Sequence, residues 1–140
     1  MNVKINELMT ESVITAEPHQ SVEHVRKMLQ KNKIGAVPVV NGEKQPVGIV
    51  STTDLSHELK AGAPISNVMT EKVYTVPQYG DVSVAARIMR NHGIHRVVVT
   101  HEQQVVGMIS AFDLLKLVDG HRFVAKNSPT PSKRKGAKRA

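Results

Sequence analysis

Apolar side chains at Val22, Val25, Met28 and Leu29 fall three and four residues apart, the spacing that gathers them on one face of a helix over Ser21–Asn32. Ser21 stands where an N-cap is needed, since its oxygen can accept from a free amide of the first turn. The same pattern returns over Asp81–His92, with Val82, Ala85, Ala86 and Met89 inward and Asp81 as cap. After each helix the pattern changes to short apolar runs of strand length. These are Ala36–Val40 and Val47–Ser51, then Arg96–Thr100 and Val105–Ser110. Asn41-Gly42 between the first two is a turn signal. A short extended piece precedes each helix, Val13–Ala16 and Val73–Val76, stopped by Pro18 and Pro77. A closing helix is predicted over Thr53–Leu59 and again over Ala111–Val118, the second ending near Gly120.

The two halves are copies. Leu8-Met9-Thr10 returns as Val68-Met69-Thr70, and Val13-Ile14-Thr15 as Val73-Tyr74-Thr75, both at an offset of 60. Ile34–Val39 returns as Ile94–Val99, and Gly48 returns as Gly107 at an offset of 59, because the first hairpin loop is one residue longer. An offset held through four blocks marks a duplicated unit. The predicted class is α/β of the α+β type: two β-α-β-β-α repeats packed sheet to sheet with pseudo-two-fold symmetry. One repeat alone exposes an apolar face that a second copy covers. The expected units are 1–60, 61–124 and a tail, 125–140, with the linker at Ala61-Gly62-Ala63-Pro64.

Composition adds limits. A chain of 140 residues can build one domain with a real core. No apolar run approaches the roughly 18 residues that cross a bilayer. Met1-Asn2-Val3-Lys4 does not open like a signal peptide. There is no cysteine, which excludes a disulfide framework, thiolate catalysis and a thiolate zinc site. A cytoplasmic protein is expected. The net charge is +7, but Lys126, Lys133, Arg134, Lys135, Lys138 and Arg139 supply six of those charges, and no acid follows Asp119. The body is close to neutral; the basicity belongs to the tail. With Pro129, Pro131 and no apolar periodicity, that tail is expected to be disordered.

Chemistry concentrates where each second strand ends. Ser51-x-x-Asp54 and Ser110-x-x-Asp113 each admit two readings. One is a capping box, in which Ser and Asp satisfy amides at a helix start. The other is a phosphate and ribose site: a helix start favours an anion, a serine hydroxyl donates to phosphate, and a carboxylate accepts from vicinal sugar hydroxyls.

The ordered set of Met-Thr, Val-x-Thr before a proline, Ile34-Gly35-Ala36-Val37-Pro38-Val39-Val40 and Gly-x-x-Ser-x-x-Asp-Leu, twice over about residues 6–119, resembles the cystathionine β-synthase (CBS) domain as a tandem pair, the Bateman module. The resemblance implies a regulatory module that binds adenosine nucleotides such as AMP, ADP or ATP in clefts between the repeats. It also implies flat homodimers that signal to an effector protein. By position it implies that Asp54 and Asp113 accept the ribose hydroxyls and that Ser51, Thr53 and Ser110 face phosphate. The backbone at Ala36 and Val37, and at Arg96 and Val97, would hold adenine, with Thr15 and Thr75 near the cleft floor. His95-Arg96 matches a pair that reaches phosphates in some members.

The halves differ. The first has Gly35-Ala36 where the second has His95-Arg96, and the second has Phe112 where the first has Thr53. Unequal affinities are therefore expected. His92, His95 and His101 lie near one another in sequence, yet no acid is placed with them, and no metal site is expected. Met9, Met28, Met69, Met89 and Met108 sit at apolar positions and read as core filler. No nucleophile has a base beside it in sequence, so no catalysis is expected. The alternative function is an accessory nucleic-acid-binding protein. In it the Lys133–Arg139 tail contacts phosphates without sequence preference, and the repeats only dimerise.

Overall fold

The computed structural model of the chain describes residues 2–11 and 13–119. Both long helices form where the apolar stripe puts them: α2 at Val22–Asn32 and α3 at Val82–His92, after a four-residue α1 at Ile5–Leu8. The Ser21 oxygen accepts from the His24 N–H at 3.0 Å. Asp81 accepts from the Ser83 N–H at 2.9 Å. Both helices end on a left-handed residue, Lys33 and Gly93, which stops the ladder and turns the chain into a strand.

Those strands are β1 at Ala36–Val40, paired antiparallel with β2 at Pro46–Ser51, and β4 at Arg96–His101, paired antiparallel with β5 at Gln104–Ser110. A register shift falls at Val39/Val40 in one hairpin and at Val99/Thr100 in the other, the same place in the repeat. The halves differ at the preceding extended piece. In the second half it is β3, Thr75–Pro77, parallel to β4. In the first it shrinks to a single bridge, Ala16 with Val39.

The packing of the repeats crosses over. Ile5, fully buried, belongs to the core built by Val76, Val82, Ala85, Met89, Val97, Val99 and Ile109 of the second half. Its counterpart Ile65, equally buried, belongs to the core of Val22, Val25, Leu29, Val37, Val39 and Val50 in the first. The backbone repeats the exchange. Ile5 N–H donates to Gly80 O at 2.8 Å and Ile65 N–H to Gln20 O at 2.7 Å. Thr10 trades hydrogen bonds with Met108, and Thr70 with Ile49. Two glycines permit this approach: a Cβ at Gly48 would stand 2.5 Å from Met69 Sδ, and one at Gly107 would stand 2.7 Å from Met9 Sδ and 2.8 Å from Thr10 O. Each half thus closes its core with the segment that precedes the other.

The closing helices fall short of the predicted lengths. Thr53–Leu59 holds only a three-residue 3-10 turn, Asp54–Ser56, and Ala111–Val118 holds α4, Ala111–Leu114, followed by a 3-10 turn at Leu115–Leu117. After Leu55 the run Ser56-His57-Glu58 offers no apolar residue to bury, so nothing rewards the ordering of a further turn. The predicted tail lies outside the described residues.

Candidate functional site

Two clefts lie in the groove between the halves; each residue lining the smaller has its repeat counterpart in the larger, which adds Thr52, Thr53, Lys72, Gly93 and Val98. The first, of about 530 Å³, sets Ser51, Thr53 and Asp54 of one half opposite Thr70, Tyr74, His95 and Arg96 of the other. The second, of about 250 Å³, sets Ser110 and Asp113 opposite Thr10, Ile14, Gly35 and Ala36. Ala36 and Arg96 line both. Each cleft therefore takes its hydroxyl and carboxylate from one repeat and its far wall from the other.

The Ser-x-x-Asp turns form capping boxes in both halves. Asp54 Oδ2 accepts from the Ser51 N–H at 2.9 Å, and Ser51 Oγ accepts from the Asp54 N–H at 3.3 Å. In the second half the same pair of bonds measures 2.9 and 3.0 Å. Capping occupies one carboxylate oxygen and leaves the other. Asp113 Oδ1 lies 3.8 Å from the exposed Lys116 Nζ. Asp54 Oδ1 has no hydrogen-bond or ion-pair partner among the described residues, and Asp54 lines the larger cleft. The two readings of the motif are thus compatible: the cap fixes the carboxylate's position, and its second oxygen can still accept a pair of hydroxyls.

The helix-start contribution does not survive in the first half. A three-residue 3-10 turn carries little of the aligned dipole that would attract an anion. Positive charge comes from side chains instead. Lys72, His95 and Arg96 line the first cleft, and Lys72 and Arg96 have no carboxylate within 4 Å among the described residues. Tyr74 extends that wall. Its ring stacks on His92 with centroids 4.2 Å apart, its hydroxyl lies 3.1 Å from His92 Nδ1, and Lys72 Nζ sits 5.5 Å over its face.

Of the residues singled out from sequence, Ala36, Ser51, Thr53, Asp54, His95 and Arg96 meet at the first cleft, and Ala36, Arg96, Ser110 and Asp113 at the second. Thr15 and Thr75 line neither. Val37 and Val97 send their side chains into the two cores. Sequence reasoning passed over Thr70, Lys72 and Tyr74, and with them Thr10 and Ile14. The signal was there: Met9-Thr10 and Met69-Thr70 repeat outside any predicted element. The described residues contain no group of three potential metal-ligating side chains. They also contain no helix long and apolar enough to cross a membrane.

Comparison with known proteins assigns the class. The family profile for the CBS domain matches residues 5–61 and 65–120, so the chain belongs to the CBS domain family and carries the domain as a tandem pair. The chain is 34% identical over 109 residues to the inosine-5′-monophosphate dehydrogenase of Halobacterium salinarum, covering 76% of this chain and 22% of that protein. Among solved structures, the CBS domain pair of protein MJ0100, in complex with 5′-methylthioadenosine and S-adenosyl-L-methionine, superposes with a TM-score of 0.78 at 26% identity. The match covers 86% of this chain and 98% of that one. The CBS domain of a CBS domain containing membrane protein from Sphaerobacter thermophilus gives 0.74 at 29% identity, covering 83% and 88%. CBS domain pairs are regulatory modules in general, and the MJ0100 pair is one that holds small ligands. The present chain spans only about a fifth of the length of the dehydrogenase it resembles.

Proposed function

We propose that the first cleft binds an adenosine nucleotide bearing a 5′-phosphate, AMP, ADP or ATP, and that occupancy is passed to a partner protein. The observation that carries this is the meeting of Asp54 and Ser51 from one half with Lys72, His95 and Arg96 from the other around a single cavity of about 530 Å³. A ribose needs an acceptor for two neighbouring hydroxyls, and Asp54 Oδ1 offers one. A phosphate needs hydroxyls and cations, and Ser51, Thr53 and Lys72 line the rest of the space. The relative bound to 5′-methylthioadenosine and S-adenosyl-L-methionine supports an adenosine ligand. The cation-rich wall favours an anionic ligand over the sulfonium cation. Coulomb attraction for each added phosphate charge rises inside a partly desolvated cleft.

Because every contact set spans both repeats, a ligand favours one arrangement of the halves over others by its differential affinity, and a bound partner reads that shift. Pairing of two modules into a homodimer belongs to the same proposal. The test is a thermal-shift screen of AMP, ADP, ATP and S-adenosylmethionine against wild type and an Asp54→Ala, Asp113→Ala variant. A ligand at about 100 times its dissociation constant should add roughly 2.7 kcal/mol of stability. No stabilisation of wild type by any of the four, or equal stabilisation of the variant, defeats the reading.

A further inference from the structure

Arg96 lines both clefts, but the end of its side chain lies in the second, against Gly35. A Cβ at residue 35 would collide with Arg96 Nη2 and stand 3.3 Å from Cζ, so the bare Cα of Gly35 is the seat of the guanidinium. The repeat supplies no such seat on the other side. Gly35 corresponds to His95, which carries a ring, and Arg96 corresponds to Ala36, which carries only a methyl group. The difference appears in the space left: about 250 Å³ in the second cleft against about 530 Å³ in the first. No carboxylate among the described residues lies within 4 Å of Arg96. Arg96 is exposed, and its guanidinium lies over Gly35 without an ion pair.

The geometry points to Arg96 as the residue that sets which ligands the second cleft admits: adenosine ligands with a 5′-phosphate enter, and those without one are kept out. The inference rests on the adenosine reading above. A ligand entering between Asp113 and Gly35 must move the guanidinium. A neutral nucleoside gains no new contact from that move. A phosphate does, because the planar fork pairs with two of its oxygens and the displaced arginine becomes part of the site. The first cleft lacks this obstacle and accepts both kinds. One guanidinium from the second repeat thus makes two clefts of the same frame differ in selectivity.

Titration calorimetry of the full chain with AMP and with 5′-methylthioadenosine, which is neutral, tests this. Wild type should take up two equivalents of AMP and one of 5′-methylthioadenosine. Arg96→Ala should raise the second number to two and weaken the second AMP event at least about tenfold, since a hydrogen-bonded charge contact is lost. Adding Asp113→Ala to Arg96→Ala should remove the extra equivalent and assign it to the second cleft. Two equivalents of 5′-methylthioadenosine in wild type, one in Arg96→Ala, or a single AMP equivalent in wild type each overturns the assignment. Failure of the underlying reading looks different: neither ligand binds wild type, or Asp54→Ala leaves the first equivalent unchanged.

Discussion

The first cleft surrounds Ser51 and Asp54 with Lys72, Tyr74 and His95; in the second, Ser110 and Asp113 face Ile14 and Gly35, with Arg96 laid across the gap. The hydroxyl, the carboxylate and the backbone path are the same in both. What differs is carried by a handful of side chains at the rim of the cores, with Ile14 and Tyr74 only partly buried against them. Duplication conserved the parts that fold: Ile5 and Ile65, Gly48 and Gly107, Val39 and Val99. It let the far wall of each cleft diverge, since most of those residues are exposed or only partly buried and cost less stability to change than the fully buried ones. A symmetric frame can in this way hold two sites of different charge and size.

The sharpest way to break the comparison is through the frame itself. Ile5→Ala and Ile65→Ala should each cost about 2–5 kcal/mol in chemical denaturation, and by similar amounts, because each empties a matched, fully buried position. Only if the segments 3–10 and 63–70 do not cross between the halves would one substitution be mild. Next in size is the ligand term. Asp54→Ala should erase most of the roughly 2.7 kcal/mol gained at 100-fold saturating ADP, whereas Asp113→Ala should erase less. Equal losses in the melting curves would erase the claimed difference between the clefts.

A smaller effect separates the clefts by charge. Lys72→Ala should weaken ADP binding about tenfold at low salt and less at high salt, where screening already removes part of the attraction. A salt-independent loss would point to packing of the Lys72 stem on Tyr74. The helix caps give the smallest contrast. Ser21→Ala should cost about 1 kcal/mol at any pH. Asp81, its counterpart, is held below the usual carboxylate range by hydrogen bonds from the Ser83 side chain and then the Ser83 N–H. Its contribution is present in full above the ordinary carboxylate pKa and is lost as the pH falls through its lowered value. Asp81→Asn should therefore flatten the acid limb of the stability profile; an unchanged limb would remove Asp81 from that account.

Much of this could be read from the amino-acid order alone. The two helices, their caps at Ser21 and Asp81, the four hairpin strands and the Ser-x-x-Asp turns are local patterns, set by spacing within a dozen residues, and their return at an offset of 60 shows the doubling. The first closing helix is shorter than its pattern suggests, because a leucine at each end of Leu55–Leu59 resembles a helical face although of the two only Leu55 is buried. Folding in three dimensions decided the rest. It sent Ile5 and Ile65 into each other's half, brought Lys72 and Tyr74 to a wall that no periodicity marks, and laid Arg96 over a glycine 61 residues before it. The reason is range. Hydrophobic period and capping chemistry act between neighbours along the chain, while a cleft is made by residues that meet only after both cores have closed.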